Sequence, residues 1–448
     1  MPTSPADSPL YTRLFGDDET ARLFSDSAEV RAMLLVEGAL AKVQGEMGVI
    51  PAESGAFLHR AAFEVQIDPS ALAAETAVNG VPVPALVAAF RTACNAPEHA
   101  AFAHWGATSQ DIMDTALALR LKRLFELWEI RLDGLLAALG ALAKAHAALP
   151  MAARTYGQVA TPTSFGAVVA GWGWPLISQR DALYNLRPAL LRVSLSGAAG
   201  TLSAMGEAGP QVRAGLARAL GLDDPGHSWH SDRSGIGALA GWMAVTVAAL
   251  GKLGDDLILL TQSGLSEVLI SGSGGSSTMP QKQNPVGPSV LVALARQVTG
   301  LAATLQGAGI HRQQRDGAAW FTEWLTLPQA AISTSRALVL SQDLAGRLTA
   351  DPAAMARHLN ADGGLIHAEA LTFALAQTLP RPEAQAAVKR LCREVTQTGT
   401  PLATLAARDF PGTDWAARLA SSGLGQAPAE ALAFAAATHQ SSAAKRAP

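Results

Sequence analysis

Thirty-nine consecutive residues, Asp111 to Leu149, contain no proline, and leucine and alanine recur through them at helical spacing. At 1.5 Å per residue such a stretch makes a rod of about 58 Å. A helix of that length cannot bury its apolar stripe alone and demands long partners. The chain supplies them at 163–193, with Pro175 and Pro188 as expected points of disturbance, at proline-free 235–270, and at 289–306 and 317–348. No stretch alternates apolar and polar residues convincingly enough for a strand. The pattern predicts an all-α fold: an elongated central bundle of five long helices over 110–350, with smaller helical domains at 1–109 and 351–448.

The flanking segments read as shorter helices. Asp26-Ser-Ala-Glu29 is a start of the capping type, and Val30, Met33, Leu34, Leu40, Val43 and Met47 follow at helical spacing until Pro51. Between 68 and 107 the pieces are broken by Asn79-Gly80, Pro82, Pro84 and Pro97. Beyond Asp351, turns at Asp362-Gly-Gly364, Pro380, Gly399 and Pro411-Gly412 keep the helices short.

Composition excludes several classes of function. With 49% apolar and 16% charged residues the chain is not disordered, and a net charge of −3 without a basic run argues against nucleic acid or an anionic membrane as partner. Cys94 and Cys392, nearly 300 positions apart, give neither a disulfide framework nor a metal-ligand pair, which fits a reducing cytoplasm. The N-terminus lacks the charged and apolar parts of a signal peptide. Ser234 to Gly251 is uncharged over 18 residues, the lower edge of a membrane span, but its four glycines and the bracketing Arg233 and Lys252 read as a buried bundle helix.

One stretch breaks the helical pattern: Ser271-Gly-Ser-Gly-Gly-Ser-Ser-Thr-Met-Pro-Gln-Lys-Gln-Asn-Pro285. Its glycines and Pro280 exclude a helix and gather three hydroxyls, Ser276, Ser277 and Thr278. A phosphate-cradling loop would need Gly-Lys-Ser/Thr, but Gln281 and Gln283 flank Lys282; a dinucleotide fingerprint would need glycine at Ser277. A plain connector is the simpler alternative. Against it, Lys282 is one of only 7 lysines beside 27 arginines, and it is the sole charge from Ser271 to Ala295.

Gly275-Ser-Ser-Thr-Met-Pro-Gln-Lys-Gln-Asn-Pro285 resembles the signature loop of the fumarase, aspartase, argininosuccinate lyase and adenylosuccinate lyase superfamily, Gly-Ser-Ser-x-Met-Pro-x-Lys-x-Asn-Pro, with every fixed position filled. The resemblance implies that Ser276 is the catalytic base toward a carbon-bound proton, and that Lys282, with Asn284, holds the neighbouring carboxylate. It also implies no cofactor and no metal, a small polycarboxylate substrate, and a homotetramer whose active sites draw loops from three subunits.

Two further segments carry the resemblance. Ala107-Thr-Ser-Gln110 precedes the first long helix, where free N–H groups and hydroxyls favour an anion. Plain N-capping by Thr108 or Ser109 explains the same residues. His104-Trp-Gly-Ala-Thr-Ser-Gln-Asp-Ile-Met-Asp-Thr115 resembles the family's first motif, which implies carboxylate binding by Thr108, Ser109 and Gln110. The second motif, Arg-Thr-His-x-Gln, falls at Arg154-Thr-Tyr-Gly-Gln158, placing Tyr156 and Gln158 at the substrate, with tyrosine where the lyases have histidine.

That departure has a chemical meaning. An amine or hydroxide leaving carbon is a strong base and needs a proton, whereas a carboxylate, whose acid has a pKa of about 4, leaves unaided. The adenylosuccinate branch's His-Asp-Val is also missing, with Ala77-Val-Asn-Gly-Val-Pro-Val-Pro84 in the corresponding region. Both absences fit the cycloisomerase branch, which interconverts a carboxymuconate and its lactone. Leu14-Phe-Gly-Asp17, Leu23-Phe-Ser-Asp26, Val30-Arg-Ala-Met33 and Trp320-Phe-Thr-Glu-Trp-Leu-Thr-Leu-Pro328 are similar to that branch as well. Arg233 and Arg315 stand where the adenylosuccinate branch has substrate-facing arginines, so they are expected to pair with further carboxylates. His227 and His230 have no cysteine beside them and read as structural. The alternatives are a fumarate-releasing lyase of the same superfamily and an inactive structural homologue.

Overall fold

The computed structural model describes residues 4–272, 274–275, 278–420 and 423–439. Among the described residues the fold is an all-α helical bundle with three small two-stranded sheets. Its five long helices are Ser109–Ala145, Phe165–Leu190, Ser234–Leu260, Val286–Gly307 and Gly317–Arg347. The second runs on through Pro175 and Pro188, and the fifth contains Pro328. Ser25, not Asp26, caps the helix Asp26–Glu46, its side chain accepting from the Ala28 N–H.

Two segments expected to be helical or irregular are strands. The third long helix stops at Leu260, ten residues before the expected end, because Gly264 (φ 88°) and Ser266 (φ 47°) turn the chain over. Strand Val268–Ile270 then pairs antiparallel with Leu348–Ala350. Ahead of the second long helix, Pro150–Thr155 and Gln158–Ser164 form an antiparallel hairpin. Its two-residue turn is Tyr156-Gly157, both with positive φ (52° and 75°), as a twist-matched tight turn requires.

The chain forms two compact units, and each long helix contributes to both. The first unit comprises Met1–Ile130, Gln179–Ala248 and Ala293–Leu338. In it, helix Asp26–Glu46 lies against Ala52–Glu64 through glycine. A Cβ on Gly55 would sit 2.6 Å from the Ala41 carbonyl oxygen, and one on Gly38 2.5 Å from the Ala62 Cβ. Any side chain there would push the helices apart. Trp128 is fully buried, its ring 4.8 Å from that of Trp242, and its Nε1 donates to the Ser335 hydroxyl at 2.7 Å. Thr20 donates to the same oxygen, so the indole N–H is satisfied inside an apolar core.

The second unit comprises Arg131–Ser178, Ala249–Val292 and Val339–Pro448. Buried Glu267 organises it, accepting both terminal nitrogens of Arg154 at 2.8 and 3.0 Å and the His358 Nδ1 at 2.8 Å. The bidentate pair ties the hairpin to the short sheet. Leu371, Leu391, Leu405 and Trp415 belong to a separate apolar cluster among the C-terminal helices.

Candidate functional site

The first long helix begins at Ser109, with Thr108 as its half-helical entry residue. Its N-terminus is fixed by a carboxylate three residues on. Asp111 Oδ2 accepts the Thr108 N–H at 3.0 Å and the Gly197 N–H at 2.9 Å. Oδ1 accepts from the Ser196 N–H (2.9 Å), the Ser194 hydroxyl (3.2 Å) and His230 Nε2 (2.7 Å). One fully buried carboxylate thus gathers the helix start, the 194–197 segment and His230. The hydroxyls of Thr108 and Ser109 are half-buried and have no hydrogen-bond partner among the described residues, so they are open to a ligand.

Gln110 does not face such a ligand. It is fully buried: its amide donates to Asp114 Oδ2 (3.1 Å) and the His230 carbonyl (2.8 Å), and its oxygen accepts from Arg315 Nε at 2.7 Å. Gln110 therefore orients Arg315, whose Nη2 reaches the Ala198 carbonyl at 3.4 Å while Nη1 has no partner among the described residues. Thr108, Ser109 and Arg315 make up one polar end within the first unit.

Arg233 is a correction to the sequence expectation. It is 3% exposed and is neither a substrate-facing arginine nor a solvated surface charge. Its nitrogens are taken by Asp114 (2.8 and 3.1 Å) and Glu323 (2.7 and 2.6 Å), and its guanidinium lies 5.2 Å from the Trp229 ring centre. Burial opposes its charge, but the two carboxylates outweigh burial and raise its pKa. Two carboxylates against one guanidinium leave an excess negative charge, and burial, with the charge of Asp114 adding to it, raises the Glu323 pKa despite Arg233.

His104, in the same motif segment, sits at 2.7 Å from Glu37. Burial works against its protonation, yet Glu37, with Asp111 further off, raises its pKa. A raised histidine pKa contributes stability that is complete below about pH 6.5 and fades as pH rises through the folded-state value. Replacing His104 by glutamine is expected to flatten the loss of stability above about pH 6.5, read as denaturation midpoint against pH.

Tyr156, Gln158, Lys282 and Asn284 lie in the second unit. Tyr156, at the hairpin tip, is wholly exposed, and Gln158 beside it is exposed too. In the signature loop, Gly274 pairs with Asn284 and Gly275 with Gln283, a two-rung ladder that pins both ends of the loop. Lys282 is exposed and its ammonium finds no acceptor among the described residues; Asn284 is half-buried. Ser276, the expected base, lies outside the described residues.

Sequence reading missed Asp111 as an organising group. The signal was present as Thr108-x-x-Asp111, the capping-box spacing at a helix start. It also missed His311, whose ring nitrogens are both buried without a partner; burial, then Arg233, lowers its pKa.

Residues 17–300 match the sequence model of the family described as Lyase. The chain is 38% identical over 393 residues to the 3-carboxy-cis,cis-muconate cycloisomerase of Pseudomonas aeruginosa, covering 87% of this chain and 86% of that one. The crystal structure of the 3-carboxy-cis,cis-muconate lactonizing enzyme from Pseudomonas putida superposes with a TM-score of 0.90 at 33% identity, over 96% of this chain and 99% of that one. A fumarate lyase from Mesorhizobium sp. BNC1 superposes with a TM-score of 0.89 at 31% identity, over 96% of this chain and all of that one.

Proposed function

The chain belongs to the lyase family that residues 17–300 match, and on that premise we propose that it is a 3-carboxy-cis,cis-muconate cycloisomerase, interconverting that tricarboxylate with 4-carboxymuconolactone in protocatechuate breakdown. The observation that carries the reading is 38% identity, over 87% of the chain, to an enzyme of that name. The protein is an intramolecular lyase that forms or opens a lactone.

The chemistry assigns roles. In the opening direction a base removes the proton from carbon next to a carboxylate, and the C–H electrons pass into that carboxylate as an aci-carboxylate. Its collapse forms the carbon–carbon double bond and breaks the ring C–O bond, releasing a carboxylate. In this reading Ser276 takes the proton, while Lys282, Asn284 and the open hydroxyls of Thr108 and Ser109 hold the aci-carboxylate and its neighbours. Arg315, oriented by Gln110, binds a further carboxylate. Arg233 acts at one remove, through Asp114 and Gln110. Tyr156 stands where leaving-group protonation would need an imidazole, and a departing carboxylate needs none. Replacing Lys282 by methionine is expected to lower kcat/KM about 100- to 1,000-fold, measured as loss of diene absorbance from 3-carboxymuconate.

The assembly we infer is a homotetramer with sites shared between subunits, in the cytoplasm. What supports sharing is Tyr156 itself, an aromatic ring wholly exposed at a hairpin tip. Two free cysteines suit a reducing compartment. If sites are shared, refolding Arg315→Met together with Ser276→Ala restores activity that neither variant shows alone. No recovery on mixing would place both residues in one subunit's site. The likeness to a fumarate lyase favours a second reading, fumarate release from a substituted succinate such as adenylosuccinate. Fumarate appearing with adenylosuccinate, and no turnover of 3-carboxymuconate, would select it.

A further inference from the structure

A cavity of about 510 Å³ lies within the first unit, and none of Thr108, Ser109, Gln110 or Arg315 lines it. Its wall is mostly apolar. Met33 and Leu72 face Leu117 of the first long helix, and Trp320 and Trp324 of the fifth close one side with their rings 4.7 Å apart. Exposed Asp26 and Ala73 stand at its rim, so it opens to the surface. Aromatic rings in an apolar concavity are the usual lining of a small-molecule site.

Arg120 gives the cavity its chemistry. The side chain is 9% exposed and lies 5.8 Å from the Phe24 ring centre. Its Nη1 reaches Glu29 only at 3.4 Å, its Nε is sealed off without a partner, and its Nη2 has no partner among the described residues. A buried guanidinium N–H left without an acceptor is costly, and burial lowers the Arg120 pKa despite Glu29. The charge around the cavity restricts what can supply that acceptor. Asp26, Glu29, Asp114 and Glu323 line it against Arg120, with Arg233 behind the last two carboxylates. An excess of negative groups repels anions, above all a tricarboxylate. Asp114 and Glu323 are engaged on Arg233 and do not anchor a cation.

The geometry points to a binding site for an uncharged aromatic molecule carrying one acceptor oxygen, its ring against Trp320 and Trp324 and its oxygen accepting from Arg120 Nη2. The site shares Asp114 with the network that fixes Gln110, but none of the groups assigned to the substrate lines it.

Calorimetric titration of the full chain with acetophenone and with ethylbenzene, a probe of the same shape without the oxygen, tests the site. Acetophenone is expected to bind saturably and about tenfold more tightly than ethylbenzene, the size of one hydrogen bond to a charged donor. Benzoate and benzylammonium are expected to bind more weakly than acetophenone. Arg120→Met removes the acetophenone advantage. Because that change also strands Glu29, Ala73→Trp at the exposed rim is the second variant, and it abolishes binding of both probes. The proposal is overturned by the absence of saturable heat, by unchanged binding to Ala73→Trp, or by displacement of acetophenone by 3-carboxymuconate.

Discussion

Replacing Ser276 by alanine is expected to lower kcat about 1,000-fold while KM moves by less than about threefold, the pattern of a group that acts only in the transition state. The hydroxyl is small, so its loss opens no large void and removes no charge from the site. Two flanking features isolate the effect. The ladder of Gly274–Gly275 with Gln283–Asn284 is a backbone pairing of residues other than 276. Lys282 and Asn284 remain to bind the carboxylate. Ser277→Ala is the matched control and keeps most of the activity. A Ser276→Ala enzyme within about tenfold of the parent would falsify the assignment of the serine as base.

The second large effect is on stability. Arg233→Met leaves Asp114 and Glu323 facing one another, each 2% exposed, with no cation between them. Breaking a buried ion pair from one side costs about 3 to 5 kcal/mol, because the remaining charge stays buried. The pH dependence carries the sign. Burial and the charge of Asp114 already raise the folded-state pKa of Glu323, and the variant loses the Arg233 that opposes them, so its folded state binds a proton more readily than its unfolded state. Stability is then regained as pH falls through the raised value. Urea midpoints of variant and parent are expected to differ widely at about pH 8 and to converge at about pH 5.5. Adding Asp114→Asn and Glu323→Gln to Arg233→Met recovers part of the loss at about pH 8, whereas a loss of packing alone would be indifferent both to pH and to those changes.

What could be read from the sequence was what is local in the chain. The five long helices were legible because the spacing of leucine and alanine within a segment is enough to predict a helix. The signature loop was legible because its glycines, hydroxyls and lysine are contiguous. The hairpin was not, because its strands do not alternate: Pro150–Thr155 buries two adjacent residues, Met151 and Ala152. Its one cue was the Tyr156-Gly157 turn. Arg233 was misread because its partners stand 119 and 90 positions away, and nothing near it in the chain announces a carboxylate on either side. Gln110 was given to the substrate for a similar reason. Its partner Arg315 is 205 positions distant, and an amide beside two hydroxyls reads as part of the same ligand set until that guanidinium is placed.

Asp111 sets a limit on how this protein can be redesigned. Its two oxygens take five donors from three places in the chain. A library that varies position 111 would orphan all five at once and would be enriched for collapsed scaffolds rather than altered selectivity. Diversity aimed at new acids belongs at Thr108, Ser109 and Arg315, with the aspartate held constant.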